Sequence, residues 1–152
     1  MEQTTTTYTA ADVFGSFQFT YPKVWSTNVS QEAKAATALT FLADPNLIVQ
    51  DKDATGPFVA LRVLVYNSGF DSQVKEVQGQ HVTNVKNPYT QAKVTVSGLD
   101  GVRFSGTDSE SGKSIIFYLV PLRDKTLYVG TDDASKYKTN LETIVKSFKV
   151  SK

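Results

Sequence analysis

The segment that most constrains the fold is the apolar run Ser114–Val120, which places large side chains on both faces of a strand. A strand with two apolar faces must be covered on both sides, so this run predicts a strand at the centre of a sheet. Residues 58–66 have the same two-sided apolar pattern. The first expectation is therefore a sheet with further layers packed on each of its faces.

Alternating segments and turn residues predict the other strands. Four successive strands are expected at residues 92–97, 101–106, 114–122 and 126–131. Leu99–Gly101 and Arg123–Lys125 should supply tight turns between them, and these short connections predict an antiparallel meander. Earlier in the chain, shorter strands are predicted at 17–21, within 23–29 and at 38–42, with an irregular loop at 44–57.

Helical periodicity indicates two helices. The apolar stripe of a C-terminal helix consists of Tyr137, Leu141, Ile144, Val145 and Phe148. A shorter helix should end near His81, with Asp71 or Ser72 as its N-cap residue.

The combined pattern predicts an α+β domain: a central antiparallel β-sheet with helices on both faces, arranged as an α/β/α sandwich. The 152 residues match the usual size of one domain. We expect a flexible threonine-rich lead-in over residues 1–13 and a single domain over residues 14–152, present as a monomer.

Composition excludes several functional classes. The 16 basic and 15 acidic residues leave a net charge of +1, without the basic excess typical of nucleic-acid-binding proteins. The absence of cysteine excludes disulfides and thiol nucleophiles, and the single histidine, His81, excludes a two-histidine metal site. The sequence contains no run of about 18 apolar residues, so it does not predict a membrane-spanning helix.

The N-terminal residues bear on localisation. Residues 1–7 have neither the basic region nor the apolar region of a signal peptide. A threonine-rich tether before a compact domain is typical of anchored extracellular proteins. We therefore expect an extracytoplasmic protein, exported or lipid-anchored, whose targeting segment has been removed; the alternative is the true start of a cytosolic protein.

Acidic residues offer a candidate site for a divalent cation. Asp132 and Asp133 could ligate a cation together with Asp108 or Glu110, provided that at least three carboxylates converge. The alternative is that Asp132 and Asp133 cap the C-terminal helix. A second motif, residues 51–56, begins like a calcium-binding loop but has Arg62 where the bidentate glutamate is needed, which favours a solvated turn.

Two further features have a functional and a structural interpretation. His81 could be the general base of a hydrolase, but no nucleophile motif accompanies it, which favours a partly exposed histidine at a helix end. The aromatic residues Phe19, Tyr21 and Trp25 could form a binding surface, although such residues more often anchor a core.

Four segments together match a known pattern in their order and spacing: Phe19–Trp25, Gly101–Phe104 before a long apolar strand, Lys125–Thr131, and Tyr137–Val150. In this order and spacing they resemble the PsbP-like family, relatives of an extrinsic protein of the photosystem II oxygen-evolving complex. The resemblance covers about residues 14–150. The resemblance implies an α/β/α sandwich. It also implies that the members of the family share no common catalytic residues, and that they dock to other proteins or contact metal ions near a partner.

The resemblance and the residues together predict a non-enzymatic PsbP-like binding or scaffold domain without a cofactor, docking to an envelope or membrane-associated protein. The alternative is a metal-responsive accessory protein that binds a divalent cation through the surface carboxylates of Asp132, Asp133, Asp108 and Glu110. A hydrolase that uses His81 is a third and weaker hypothesis.

Overall fold

The computed structural model of the protein describes residues 5–9, 17–23, 25–32, 35–42, 61–83, 85–108 and 112–150. The predicted loop at 44–57, the calcium-loop-like motif at 51–56 and the candidate ligand Glu110 lie outside these ranges.

The described residues form ten strands and two helices. In chain order they are β1 (Thr5–Thr9), β2 (Phe17–Pro22), β3 (Ser26–Glu32), β4 (Ala35–Leu42), β5 (Leu61–Tyr66), α1 (Phe70–His81), β6 (Thr90–Val96), β7 (Leu99–Thr107), β8 (Ser114–Leu122), β9 (Lys125–Thr131), α2 (Ala134–Ser147) and β10 (Lys149–Val150).

Seven of the strands form one antiparallel sheet in the order β3-β4-β5-β9-β8-β7-β6. The predicted meander is confirmed, because β6, β7, β8 and β9 are neighbours in sequence and in the sheet. The apolar strand β8 is an inner strand, but β9 occupies the central position. The difference arises because β5, β4 and β3 extend the sheet beyond β9.

The two faces of β8 contact different layers. Ile116, Tyr118 and Val120 are buried in the larger core cluster, which contains the apolar stripe of α2. Phe117 and Leu119 point to the other face, where they are buried with Val77 of α1. Burying a large apolar side chain stabilises a fold by about 1.5–3 kcal/mol, so a two-sided strand requires both layers. The α+β architecture with helices on both faces is confirmed.

A second, three-stranded sheet is formed by β1, β2 and β10 in the order β1-β2-β10. Its aromatic side chains pack against the end of α2: the ring centroids of Phe19 and Phe148 are 4.7 Å apart, and those of Phe19 and Tyr8 are 5.5 Å apart. Trp25 is buried and contacts Tyr137 edge-on at 6.0 Å. The structural interpretation of this early aromatic cluster, as part of a core, is therefore confirmed.

The flexible lead-in predicted for residues 1–13 is wrong over Thr5–Thr9, which pairs with β2 along its whole length. Threonine is β-branched and favours strands. The alternation also places Tyr8 on the core face, where it packs against Phe17 and Phe19. The boundary between residues 13 and 14 lies outside the described residues and stays a prediction.

Two local predictions are also wrong. The turn before β7 is Ser97–Gly98 rather than Leu99–Gly101: both turn residues have positive φ, +53° and +78°, as a two-residue hairpin turn requires. Helix α1 begins at Phe70 with Gly69 as its N-cap, so neither Asp71 nor Ser72 caps it. Phe70 packs against the smaller core cluster, and this burial favours the earlier start.

Candidate functional site

A groove of about 620 Å³ lies between α1 and the sheet, on the face opposite to α2. Its floor comes from strands and from the segment after α1, and its aromatic residues are Tyr66, Tyr89, Phe117 and Tyr128. Its rim is polar and includes Asn67, Ser68, Glu76, Gln80 and His81, and the buried side chain of Gln73 also lines the groove. Volumes of this size are typical of ligand-binding clefts.

The aromatic floor is one connected set of rings. Antiparallel pairing of β5 with β9 places Tyr66 and Tyr128 on the same face. Their rings meet edge to face, with centroids 6.0 Å apart. Tyr128 also stacks on Phe117 at 5.0 Å, and Phe117 stacks on Phe104 at 5.3 Å. The ring contacts therefore extend from the groove into the smaller core cluster.

At the end of α1, the stacked side chains of His81 and Tyr89 line the groove. The rings of His81 and Tyr89 are almost parallel, with an interplanar angle of 6° and centroids 4.4 Å apart. The backbone N–H of Tyr89 donates a 2.8 Å hydrogen bond to the carbonyl oxygen of His81. The histidine considered as a general base thus forms part of an aromatic wall in the groove.

Hydrogen bonds fix one side of the rim. The hydroxyl of Ser68 donates a 2.7 Å bond to Oε1 of Gln73, which is buried although it is polar. The hydroxyl of Thr126 donates a 2.9 Å bond to the carbonyl oxygen of Ser68. These bonds join the end of β5, the first turn of α1 and β9, so the rim is held by three elements.

Two tyrosines of the floor have perturbed acidity. Burial raises the pKa of Tyr128, and the negative charge of Asp132 adds to this effect. Burial also raises the pKa of Tyr89, and the charge of Asp108 acts in the same direction. Both phenols are therefore neutral at physiological pH, when they can donate and accept hydrogen bonds.

The three predicted cation ligands that the structure describes, Asp132, Asp133 and Asp108, have different surroundings. Asp132 accepts hydrogen bonds from Nε of Arg62 at 3.0 Å through both carboxylate oxygens. Asp133 accepts a 2.7 Å bond from the hydroxyl of Ser135 and lies 3.8 Å from Nζ of Lys113. Asp108 lines the groove.

Within the described ranges, no group of three or more acidic, histidine or cysteine residues could hold a metal ion. Since Glu110 is outside those ranges, the four-carboxylate site stays a prediction. Asp133 does occupy the N-cap position of α2, but its side chain makes no capping hydrogen bond. Asp133 therefore stands at the position of a capping residue, as the alternative predicted, but its carboxylate does not make the capping hydrogen bond. No helix in the described part of the chain is long and apolar enough to cross a membrane.

The groove could not be predicted from the sequence, because its floor joins residues that are far apart in the chain. Tyr66 and Tyr128 are 62 positions apart and meet only through the pairing of β5 with β9. A signal existed in principle: both are aromatic residues on the face opposite to the larger core cluster.

Comparison with known proteins gives similarity at the level of structure. No protein-family model and no curated protein sequence matches the chain. The structure is similar to that of the cyanobacterial PsbP protein CyanoP from Synechocystis sp. PCC 6803, with a TM-score of 0.60 and 12% sequence identity over 99% of this chain and 95% of that one.

It is also similar to LpqN of Mycobacterium tuberculosis, a protein involved in cell envelope biogenesis. The TM-score is 0.57 and the sequence identity is 14%, over 97% of this chain and 92% of that one. At these identities the similarity concerns the fold. The resemblance found in the sequence is therefore confirmed at that level: the chain has a PsbP-like fold.

Proposed function

We propose that this chain is a non-enzymatic binding domain that acts outside the cytoplasm and docks to an envelope or membrane-associated protein. The observation that carries the proposal is the groove beneath α1, whose aromatic floor and polar rim suit recognition. Binding sites typically combine aromatic surfaces with a few oriented polar groups.

The chemistry of the rim supports binding over catalysis. A hydrolase with a serine nucleophile and His81 as its base would need the serine hydroxyl hydrogen-bonded to the imidazole. Here the Ser68 hydroxyl donates to the Gln73 side chain, while His81 stacks on Tyr89. The Ser68 hydroxyl and the His81 ring thus each contact another side chain that lines the groove.

The fold neighbours support the location and type of function by analogy. LpqN is described as involved in cell envelope biogenesis, and CyanoP is a cyanobacterial PsbP. A shared fold does not by itself transfer a function, so the proposal depends on a direct test of the groove.

Site-specific photo-crosslinking tests the docking site. A photoreactive benzoyl-phenylalanine replaces Gln80, an exposed rim residue on α1. The matched control carries the same group at Lys138, an exposed position of α2 on the opposite side of the sheet. After irradiation with the membrane fraction of the source organism, we expect one discrete adduct from position 80 and none from position 138.

Equal labelling from both positions, or no adduct from position 80, would contradict the docking proposal. The non-enzymatic part has a separate test. Turnover of any substrate that is lost in the His81→Ala variant would show that the domain is an enzyme.

A further inference from the structure

Gln73 places a polar side chain, only 7% exposed, in the wall of the groove. Its Oε1 accepts the 2.7 Å hydrogen bond from the hydroxyl of Ser68. In the part of the chain that the structure describes, no residue accepts a hydrogen bond from the other end of this amide, Nε2. Every buried side-chain nitrogen or oxygen atom of the described residues has a hydrogen-bond partner. Nε2 is therefore not enclosed by the protein, and its N–H groups face the space of the groove.

Hydrogen bonds fix which end of the Gln73 amide faces the groove. Gln73 lies in the first turn of α1, and its backbone N–H donates to the carbonyl oxygen of Gly69 at 3.0 Å. Ser68, which donates to Oε1, itself accepts a bond from the hydroxyl of Thr126 through its carbonyl oxygen. The end directed to the groove is thus the donor. A ligand that covered Nε2 without an acceptor would leave a buried donor unpaired, which is unfavourable.

The walls of the groove suit an aromatic ring. The rings of Tyr66 and Tyr128 are almost perpendicular, at 88°, and form a corner in the lining. The stacked rings of His81 and Tyr89 form a second part of the wall. Another aromatic ring can pack against such rings edge to face or offset, and these pairs contribute energy beyond the area that they bury. The lining therefore favours an aromatic side chain over an aliphatic one.

The donor of Gln73 distinguishes among the side chains that commonly anchor protein interfaces. Such anchors are enriched in tryptophan, tyrosine and arginine. The indole and the guanidinium only donate hydrogen bonds, so neither offers an acceptor to Nε2. Tyrosine combines an aromatic ring with a hydroxyl oxygen that accepts. Of these three side chains, tyrosine alone complements both the aromatic walls and the donor.

We propose that the docked protein inserts a tyrosine side chain into the groove. Its ring would pack in the corner formed by Tyr66 and Tyr128, and its phenol oxygen would accept a hydrogen bond from Nε2 of Gln73. This inference rests on the proposed docking function and names the side chain by which the partner is recognised. A neutral sugar also carries acceptor oxygens, but it lacks the aromatic ring that the perpendicular corner favours.

Three blocked peptides test the inference. Each contains one aromatic residue, tyrosine, phenylalanine or tryptophan, between glycine and serine residues. Binding is followed in the isotope-labelled protein through the backbone amides of α1 and the side-chain amide of Gln73, which reports directly on Nε2. We expect the tyrosine peptide to bind at least about fivefold more tightly than the other two, the equivalent of about 1 kcal/mol for a buried donor left unpaired. It should also cause the largest shift of the Gln73 side-chain amide.

A variant without the donor provides the comparison. Gln73→Met keeps the approximate length of the side chain and removes the amide, so the tyrosine and phenylalanine peptides should bind within twofold of each other. The matched control Gln78→Met changes another glutamine of α1, whose Nε2 donates to Gln91 outside the groove, and should keep the preference. If Gln73→Met does not fold, Ser68→Ala releases Oε1 so that the amide can turn, and the tyrosine and tryptophan peptides should then bind within twofold of each other.

Equal binding of the tyrosine and phenylalanine peptides to the unmodified protein would overturn the inference. Tighter binding of the tryptophan peptide, or failure of all three peptides to shift these amides, would overturn it too. So would methyl glucoside that displaces the tyrosine peptide at equal concentration, because the groove would then be a sugar site. An adduct from position 80 without tyrosine preference would leave the docking function standing and refute only the tyrosine. Tyrosine preference without an adduct would refute the docking function.

Discussion

Gly106 of β7 lies directly against the ring of Tyr89, where there is no room for a side chain. A β-carbon at this position would approach Cε1 and Cγ of that ring to 2.7 Å, well inside the usual contact distance. Tyr89 is 8% exposed and stacks on His81. We therefore expect Gly106→Ala to displace the tyrosine ring and to open the wall of the groove.

The expected cost has two parts. Overpacking a well-packed site costs about 1–3 kcal/mol. Loss of the aromatic contact with His81 adds about 0.5–1.5 kcal/mol. A total of about 1.5–4.5 kcal/mol should lower the Tm of a domain of this size by about 3–18 °C. The matched control is Gly79→Ala in α1, where a β-carbon would meet no atom within 4 Å. This change should stabilise the protein by about 0.5–1 kcal/mol through helix propensity.

Urea unfolding of a double-mutant cycle isolates the steric effect. In a Tyr89→Ala background the ring is absent, so Gly106→Ala should cost at least about 1 kcal/mol less than it does in the unmodified protein. An equal cost in both backgrounds would show that the strain has another source. A Gly106→Ala protein as stable as the unmodified one would refute the close contact itself.

Three further changes test other parts of the structure. Phe19→Ala removes a side chain that is 1% exposed and stacked on Phe148, and should cost about 3–5 kcal/mol in urea unfolding; a cost below about 1 kcal/mol would contradict the packing of the small sheet. A double-mutant cycle with Arg62→Met and Asp132→Asn should give a coupling of about 0.2–1 kcal/mol that decreases with added salt, because both side chains are partly exposed; a coupling insensitive to salt would refute the ion pair. Burial raises the pKa of Tyr128 above its ordinary value of 10.0, so the unfolded chain releases this proton first as the pH rises. The contribution of this pKa shift to the free energy of unfolding is complete below about pH 10 and is lost at higher pH. Unfolding measured from pH 8 to 11 should therefore show a smaller loss of stability in Tyr128→Phe than in the unmodified protein.

Much of the fold could be predicted from local patterns. The two-sided apolar run in β8 required layers on both faces of the sheet, and α1 and α2 supply them. Period-two alternation and short connections predicted the meander from β6 to β9. These features are predictable because side-chain direction depends only on position within a strand or helix.

Element boundaries depended on contacts that a local pattern does not contain. The threonine-rich segment Thr5–Thr9 has the composition of a polar tail, yet it pairs with β2 and places Tyr8 on the aromatic cluster. The short strand β10 was not predicted either, and its two residues pair with β2. Strands of this kind are stabilised by their neighbours more than by their own sequence.

The sequence by itself determined the α+β class, the meander, the apolar stripe of α2 and the absence of thiol and two-histidine chemistry. Only the tertiary structure decided the candidate site. Pairing of β5 with β9 brings Tyr66 to Tyr128, and the segment after α1 returns Tyr89 to His81. The physical reason is that periodicity fixes which face a side chain occupies, whereas a groove depends on which distant faces the chain brings together.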